Sequence, residues 1–446
     1  MSTLSPQSYK GTRDYYPEDK RIQNFIFNNW KRVSMRFGYE EYGAPLLEPL
    51  DVYAAKSGQE LANEQTYSFT DRGGRTVAIR PEMTPSISRM VAARRQEMAY
   101  PARLFSIANF MRYERPQRGR EREFWQLNVD IFGAEGALPE SEIIAMGAEF
   151  LKVFGATDDM YVIRINNRKV INYMMAQYLG LDAIQAQLMI KLFDRKNKIS
   201  NEEFRDQAID IFGESMASSG LAKISALLSA KSMAELPGEI RESSAVKEVQ
   251  ELFTLLERAG VKNAMFDITL MRGLDYYTGT VFEFFDLHPD NNRSLFGGGR
   301  YDGLVGLFGA EQISAVGMAP GLTMTELFLQ THNLLPKLSS TTEVYIVVLG
   351  EDTLKGAMAV AANLRNEGVN TELDITGRKL DKQLKTAIKK DIPYIIFIGE
   401  DELKSEVYSF KDTVSSEEQK LSFERIISTV KDRRHAHVDD FDDLFE

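Results

Sequence analysis

Apolar residues recur at helical spacing between Arg21 and Phe37. Ile22, Phe25, Ile26, Val33 and Phe37 gather close to one face, which predicts an amphipathic helix. After a turn at Gly38, Tyr39–Leu47 reads as a strand ending near Pro45. Between Val77 and Phe132 the pattern predicts short strands joined by charged loops, with a helix near Thr84–Arg95; Val162–Ile165 reads as another strand. From Val170 to Gly260 the rhythm changes. Met, Ala, Leu and Lys dominate, strand formers are few, and the stretch reads as several helices inserted as a separate domain. Strand-like aromatic sequence returns at Ala264–Leu287, before the run Gly297-Gly298-Gly299. Leu335–Thr342 has the Pro, Ser and Thr content of a linker. Beyond it, strands over Glu343–Gly350, Asn370–Ile375 and Tyr394–Ile398 alternate with helices over Thr353–Glu367 and Leu380–Lys390, which implies a small parallel α/β domain. The acidic stretch 435–446 reads as a mobile tail. No internal repeat is visible.

At 446 residues, two or three domains are expected, and 43% hydrophobic with 27% charged residues is ordinary for a globular protein. A net charge of −11 argues against a surface that grips nucleic acid all over, without excluding a local basic patch. The lack of cysteine removes disulfides and thiol chemistry. The polar N-terminus holds no apolar run that could act as a signal peptide, and no apolar run elsewhere is long enough to span a bilayer. The expectation is a soluble, cytoplasmic chain with no membrane partner. None of the four His residues pairs with another at metal-ligand spacing, so no tightly held transition metal is expected, and His332 reads as a surface residue.

Four segments carry candidate chemistry. In Phe110–Gln126, FMRYERPQRGREREFWQ, the residues Arg112, Arg115, Arg118, Arg120 and Arg122 crowd one loop; the choice is between a solvated charged hairpin and a grip on phosphate and RNA, with Phe124 as a stacking ring. In Arg80-Pro81-Glu82-Met83-Thr84, a carboxylate and a hydroxyl two apart suit an ammonium group, while Thr84 followed by Pro85 equally suits a helix cap. In Arg272–Glu283, RGLDYYTGTVFE, a strand would send Tyr276 and Tyr277 to opposite faces, so one of them faces a pocket. In Leu295–Gly303, LFGGGRYDG, the glycines allow close backbone approach or form a bulge or turn. The phosphate loop of nucleotide-binding α/β folds is excluded, since its Lys and Ser/Thr are missing.

Taken together, in this order and spacing, the segments resemble the histidyl-tRNA synthetases, a class II aminoacyl-tRNA synthetase family. RGLDYY with TVFE and GGGRYDGL are the most specific elements, and the resemblance covers nearly the whole chain. It implies an α+β fold: a catalytic domain on an antiparallel sheet over 1–169 and 261–335, a helical insertion over 170–260, and a C-terminal α/β anticodon-binding domain over 343–434. It further implies a homodimer, with Arg21–Phe37 and the strand ending at Pro45 at the dimer interface. The implied activity is ATP-dependent ligation, in which histidine becomes histidyl-adenylate and passes to the 3′ end of tRNA-His, with Mg²⁺ held mainly by the phosphates.

By the same resemblance, Glu82, Thr84 and Gln126 hold the α-ammonium of histidine. Asp130 stands near the substrate amino acid, and Tyr277, beside Tyr276, faces the imidazole. Arg112 and Arg272 act as the catalytic cations on opposite sides of the α-phosphate. Glu114 meets the adenine amino group, Phe124 stacks on the ring, and Arg120 reaches the outer phosphates. Arg115 and Gln117 position the acceptor end of the tRNA, and Arg378, Lys379, Lys382 and Gln383 are anticodon contacts. One place departs from the family. Its third motif ends Gly-Leu-Glu-Arg, whereas this chain has Gly321-Leu322-Thr323-Met324. Two other functions remain as alternatives: a non-catalytic regulatory or RNA-binding paralogue, and a class II synthetase for another amino acid.

Overall fold

The computed structural model describes residues 4–54, 64–196, 199–230, 232–271, 276–291 and 293–442, with the backbone alone for 434–442. Two compact units divide between Leu335 and Pro336.

The first unit is built on an eight-stranded sheet. Its strands are β1 (Glu40–Glu41), β5 (Ala102–Met111), β6 (Glu123–Phe132), β7 (Tyr161–Asn167), β8 (Ala264–Phe266), β9 (Thr280–Asp286), β10 (Ser294–Arg300) and β11 (Ala315–Met318). They lie in the order β1-β5-β6-β11-β10-β9-β7-β8. The six central strands are antiparallel to their neighbours, and β1 and β8 add parallel pairings at the two edges. A separate three-stranded sheet holds β2 (Leu47–Pro49), β3 (Ser68–Thr70) and β4 (Thr76–Ile79) in the order β2-β4-β3. The single strand expected over Tyr39–Leu47 is therefore two short ones in different sheets, with Pro45, which cannot donate to a ladder, in the gap.

One face of the large sheet is closed by α1 (Pro17–Arg36), α4 (Leu138–Lys152) and α11 (Leu322–Thr331). Pro17 occupies the first turn of α1, where no backbone donor is needed. Ile26, Trp30 and Val33, spaced four and three apart, are buried with Leu127, Val129 and Ile131 of β6 and Phe282 and Phe284 of β9. Short α2 (Asp51–Ala54) and α3 (Thr84–Ala93) precede β5.

Between β7 and β8 run α5 (Arg168–Tyr173), α6 (Ala183–Asp194), α7 (Asn201–Phe212), α8 (Glu214–Ser229), α9 (Gly238–Arg241) and α10 (Ser244–Arg258). Local capping explains their starts. Asp182 and Gln185 form a capping box on α6, and Ser200 and Ser243 accept from backbone N–H groups in the first turns of α7 and α10. These helices enclose their own apolar cluster around Met174, Met189, Phe193, Phe204 and Leu227. On α10, Val246 and Val249 face that cluster while Leu252 and Leu256 face the core under the large sheet, so one helix joins the two.

The second unit has five strands, β12 (Val344–Val348), β13 (Thr371–Leu373), β14 (Tyr394–Ile398), β15 (Val407–Asp412) and β16 (Glu418–Ser422), in the order β13-β12-β14-β15-β16. Its helices are α12 (Leu354–Asn366), α13 (Leu380–Lys389), α14 (Glu400–Ser405) and α15 (Phe423–Asp442). The first three strands of that order are parallel, as the alternating pattern implied, and a hairpin of β15 and β16 extends the sheet antiparallel. The backbone expected to be a tail continues α15 as far as Asp442.

Candidate active site

A ten-residue strand sends alternate side chains to opposite faces. In β6, Leu127, Val129 and Ile131 enter the core, while Phe124, Gln126, Asn128 and Asp130 line a cavity of about 400 Å³ on the other face. Phe124, Gln126 and Asp130, expected from the sequence, are thus brought into one row.

At the Asp130 end the cavity is lined with carboxylates and phenols. Glu82 is buried just ahead of α3, and the Tyr276 hydroxyl donates to its Oε2 at 3.0 Å. Arg80 fixes this corner structurally: Nε donates to the Asn109 carbonyl at 2.8 Å, Nη1 to the Ala44 carbonyl at 2.9 Å, and the guanidinium lies 5.3 Å from the Phe110 ring centre. Thr84 is the first residue of α3 and lines the cavity; the position before it is Met83, and no side chain caps the helix, so the cap reading of Thr84 does not hold. Tyr276 and Tyr277 both line the cavity, against the expectation that only one would. They precede β9, which starts at Thr280, so strand alternation does not apply to them; instead their rings meet edge to face at 5.1 Å. Tyr276 is therefore more than a neighbour, since it holds Glu82.

Asp130 is fully buried, and burial pushes its carboxyl up to about 7 even though the Tyr301 hydroxyl donates to Oδ1. Gly317 of β11 faces Asp130 so closely that a Cβ there would run into the carboxylate. Gly299 is similarly constrained: a Cβ would lie 2.6 Å from the Thr280 carbonyl and 2.9 Å from the Tyr277 ring. The glycine run is thus a close-approach strand rather than a turn.

At the other end the five arginines separate into different jobs. Arg112 lines the cavity, donating from Nε to the Pro81 carbonyl at 2.9 Å and lying 5.2 Å from the Phe124 ring centre. Arg120 also lines it, with Nη1 3.2 Å from Oε2 of Glu114, another lining residue. Arg115 is exposed on the loop, and Gln117 faces an adjoining cavity. Arg118 offers its carbonyl to Arg293 at 2.7 Å. Arg122 is a brace: its backbone N–H donates to the Gly11 carbonyl at 2.6 Å, Nε to the Glu114 carbonyl at 3.2 Å and Nη1 to the Tyr9 hydroxyl at 2.9 Å, and its guanidinium stacks 4.2 Å from the Tyr113 ring centre.

The segment Gly321-Leu322-Thr323-Met324 closes the same end. Met324 lines the cavity against Gly119, and the Thr323 hydroxyl donates to Glu121 at 2.8 Å. Neither Thr323 nor Met324 brings a positive charge to that wall. Arg272, with Gly273, Leu274 and Asp275, lies outside the described residues.

A family model described as histidyl-tRNA synthetase matches residues 11–324, which include every described side chain of this cavity. The chain belongs to the histidyl-tRNA synthetase family. A second model, described as an anticodon binding domain, matches residues 343–433. Among relatives, a histidine–tRNA ligase of Leptospira biflexa is 40% identical over 96% of this chain and 98% of its own. One of Haloarcula marismortui is 34% identical over 92% and 94%. The solved histidyl-tRNA synthetase of Nostoc sp. PCC 7120 shares the fold at a TM-score of 0.81 and 23% identity, covering 97% of this chain and 100% of that one.

Elsewhere in this histidyl-tRNA synthetase chain, two sequence expectations change. Gln383 is buried, not an exposed contact: Oε1 accepts from Val348 N at 2.9 Å, and Nε2 donates to the Val348 and Arg378 carbonyls at 2.9 and 2.7 Å. Arg378, Lys379 and Lys382 are exposed, with Arg378 3.3 Å from Asp374. His332 is not a free surface residue either; its Nε2 lies 2.8 Å from the buried Asp286, which also accepts from Asn291. Sequence reasoning missed Asn128, Glu121, Glu283 and Tyr301 as lining residues. Strand alternation from Gln126 could have found Asn128, whereas Glu121 and Tyr301 depend on long-range packing.

Proposed function

We propose that this chain activates histidine with ATP to histidyl-adenylate and transfers the histidyl group to the 3′ end of tRNA-His. The observation that carries the reading is the polarity of one cavity, with buried carboxylates and phenols at one end of β6 and a guanidinium beside an aromatic ring at the other. Glu82, Thr84 and Gln126 would take the ammonium group, and Asp130 and Tyr277 the imidazole. Phe124 and Glu114 would take the adenine, Arg112 the α-phosphate, Arg120 the outer phosphates, and Arg272 the α-phosphate from the opposite side.

The histidine carboxylate attacks the α-phosphorus, the bond to the bridging oxygen breaks, and pyrophosphate leaves with the electron pair. Fixed cations lower this barrier by meeting the charge as it develops. The donor chemistry suits Mg²⁺: with Glu283 as a cavity carboxylate, it would neutralise phosphate charge. Arg115 and Gln117 would receive the acceptor end of the tRNA, and Arg378, Lys379 and Lys382 the anticodon. We assign catalysis to 1–169 and 261–335, a helical insertion to 170–260, and anticodon reading to 343–434. We further assign a homodimer in the cytoplasm. Exposed Leu46, Leu47 and Phe69 on the small sheet and its approach favour a dimer, and no helix among the described residues is long and apolar enough to cross a membrane.

ATP–pyrophosphate exchange with each of the twenty amino acids tests the reading. Exchange with histidine is expected. None at all would leave a non-catalytic relative, and exchange with another amino acid would change the substrate.

A further inference from the structure

For a triphosphate, the described lining of the main cavity is short of positive charge. It presents Glu82, Glu114, Glu121, Asp130 and Glu283 against Arg112 and Arg120. Those two guanidinium groups already lie 3.9 and 3.2 Å from Glu114. A second cavity of about 900 Å³ adjoins the first and shares Gly119, Arg120, Glu283 and Met324 with it. Its lining brings two further guanidinium groups, Arg164 from β7 and Arg293 from the turn between β9 and β10.

These two differ in what they already hold. Arg164 is 3.3 Å from Asp267 and stacks 4.3 Å from the Phe285 ring centre, so its charge and its flat face are both engaged. Asp267 in turn accepts from the Thr269 N–H and hydroxyl at 2.9 and 2.6 Å. Among the described residues, the hydrogen bond of Arg293 goes to a neutral acceptor, the Arg118 carbonyl. That bond holds the guanidinium beside the Arg118–Arg120 loop without cancelling its charge, and a guanidinium has further N–H groups for a phosphate. Met324, on the wall shared by the two cavities, offers a thioether that cannot hold an anion.

We propose that Arg293 binds the outer phosphates of ATP, and the pyrophosphate that leaves, where they pass Met324 into the adjoining cavity. The inference rests on the reading that ATP occupies the main cavity. As the bond from the α-phosphorus to the bridging oxygen breaks, negative charge grows on the departing pyrophosphate, and a fixed guanidinium at that end stabilises it.

The test is direct calorimetric binding of inorganic pyrophosphate to the full chain, its Arg293→Ala variant and its Arg293→Gln variant. Gln keeps a donor for the Arg118 carbonyl and removes the charge. Both variants are expected to weaken pyrophosphate binding about 10–100-fold, the range of a lost charge-assisted contact. In exchange assays the KM for ATP should rise while the KM for the amino acid stays within about twofold. Wild-type affinity in Arg293→Gln would overturn the proposal and leave Arg293 a loop brace, as would equal rises in both KM values. Pyrophosphate binding does not depend on which amino acid is activated, so failure of the histidine reading would show separately, in exchange by the wild type.

Discussion

Burial changes the chemistry of Asp130. Its folded-state carboxyl titrates at about 7, above the usual carboxylate value near 3.8, because burial disfavours the charge. Between those values the folded chain holds a proton that the unfolded chain has lost, so stability should fall as pH rises from about 4 through 7. Chemical denaturation at pH 5, 6, 7 and 8 should show that decline and its loss in Asp130→Asn. If the carboxylate accepts from the imidazole, the KM for histidine should rise as pH drops below 7, with the KM for ATP unmoved. Because free histidine titrates in the same range, the informative quantity is the difference between wild type and Asp130→Asn. Tyr301→Phe removes a donor that lowers this carboxyl, so the inflection should move to higher pH. Arg272→Ala should reduce exchange about 10²–10³-fold while histidine binding persists; equal loss of both would mark Arg272 as structural. At this scale Phe124, Gln126 and Asp130 were named by the family resemblance, and strand alternation in β6 sets them on one cavity wall. The grip of Tyr276 on Glu82 was not legible, because 194 positions separate them along the chain.

Elements with a strong local signal were read almost to their ends. Tyr394–Ile398 is β14 to the residue, and Leu380–Lys390 differs from α13 by one position. Tyr39–Leu47 misled because Tyr39 packs into the core under the large sheet, Tyr42 packs beside Tyr276 and Tyr301, and no strand continues past Pro45. The arginine loop was legible as a hairpin but not in its division of labour, which depends on the N-terminal segment. Gly11 sits at φ 86°, and a Cβ there would lie 2.8 Å from Arg122 Cγ and 2.9 Å from Pro116 Cγ. Gly11→Ala is therefore expected to cost about 1–3 kcal/mol of stability, read by thermal unfolding. Through the displaced loop it should raise the KM for ATP more than the KM for histidine.

At the scale of the whole molecule, each unit has its own apolar core, one set under the large sheet and in the inserted helices, the other around Ile346, Leu364 and Ile396. Residues 1–335 made alone should keep histidine-dependent exchange and lose efficient charging of tRNA; loss of exchange would show that the first unit depends on the second. With a net charge of −11, tRNA must be met by local clusters of Arg and Lys. Charging should therefore weaken steeply with added salt, as phosphate contacts do, while exchange changes little. The two-unit plan was legible from the linker composition at Leu335–Thr342. The β15–β16 hairpin was not, since no turn dipeptide marks it.

The row from Phe124 to Asp130 also acts as a ruler. Six steps along a strand at about 3.3 Å each set roughly 20 Å between the ring at one end and the carboxylate at the other. On the proposed roles of Phe124 and Asp130, the length of the substrate would be checked by a backbone, which stretches far less readily than a loop. A single residue inserted in β6 would do two kinds of damage at once, changing that length and turning the core residues into the cavity. Substitutions can retune what each mark on this ruler recognises, but the distance between the marks belongs to the strand.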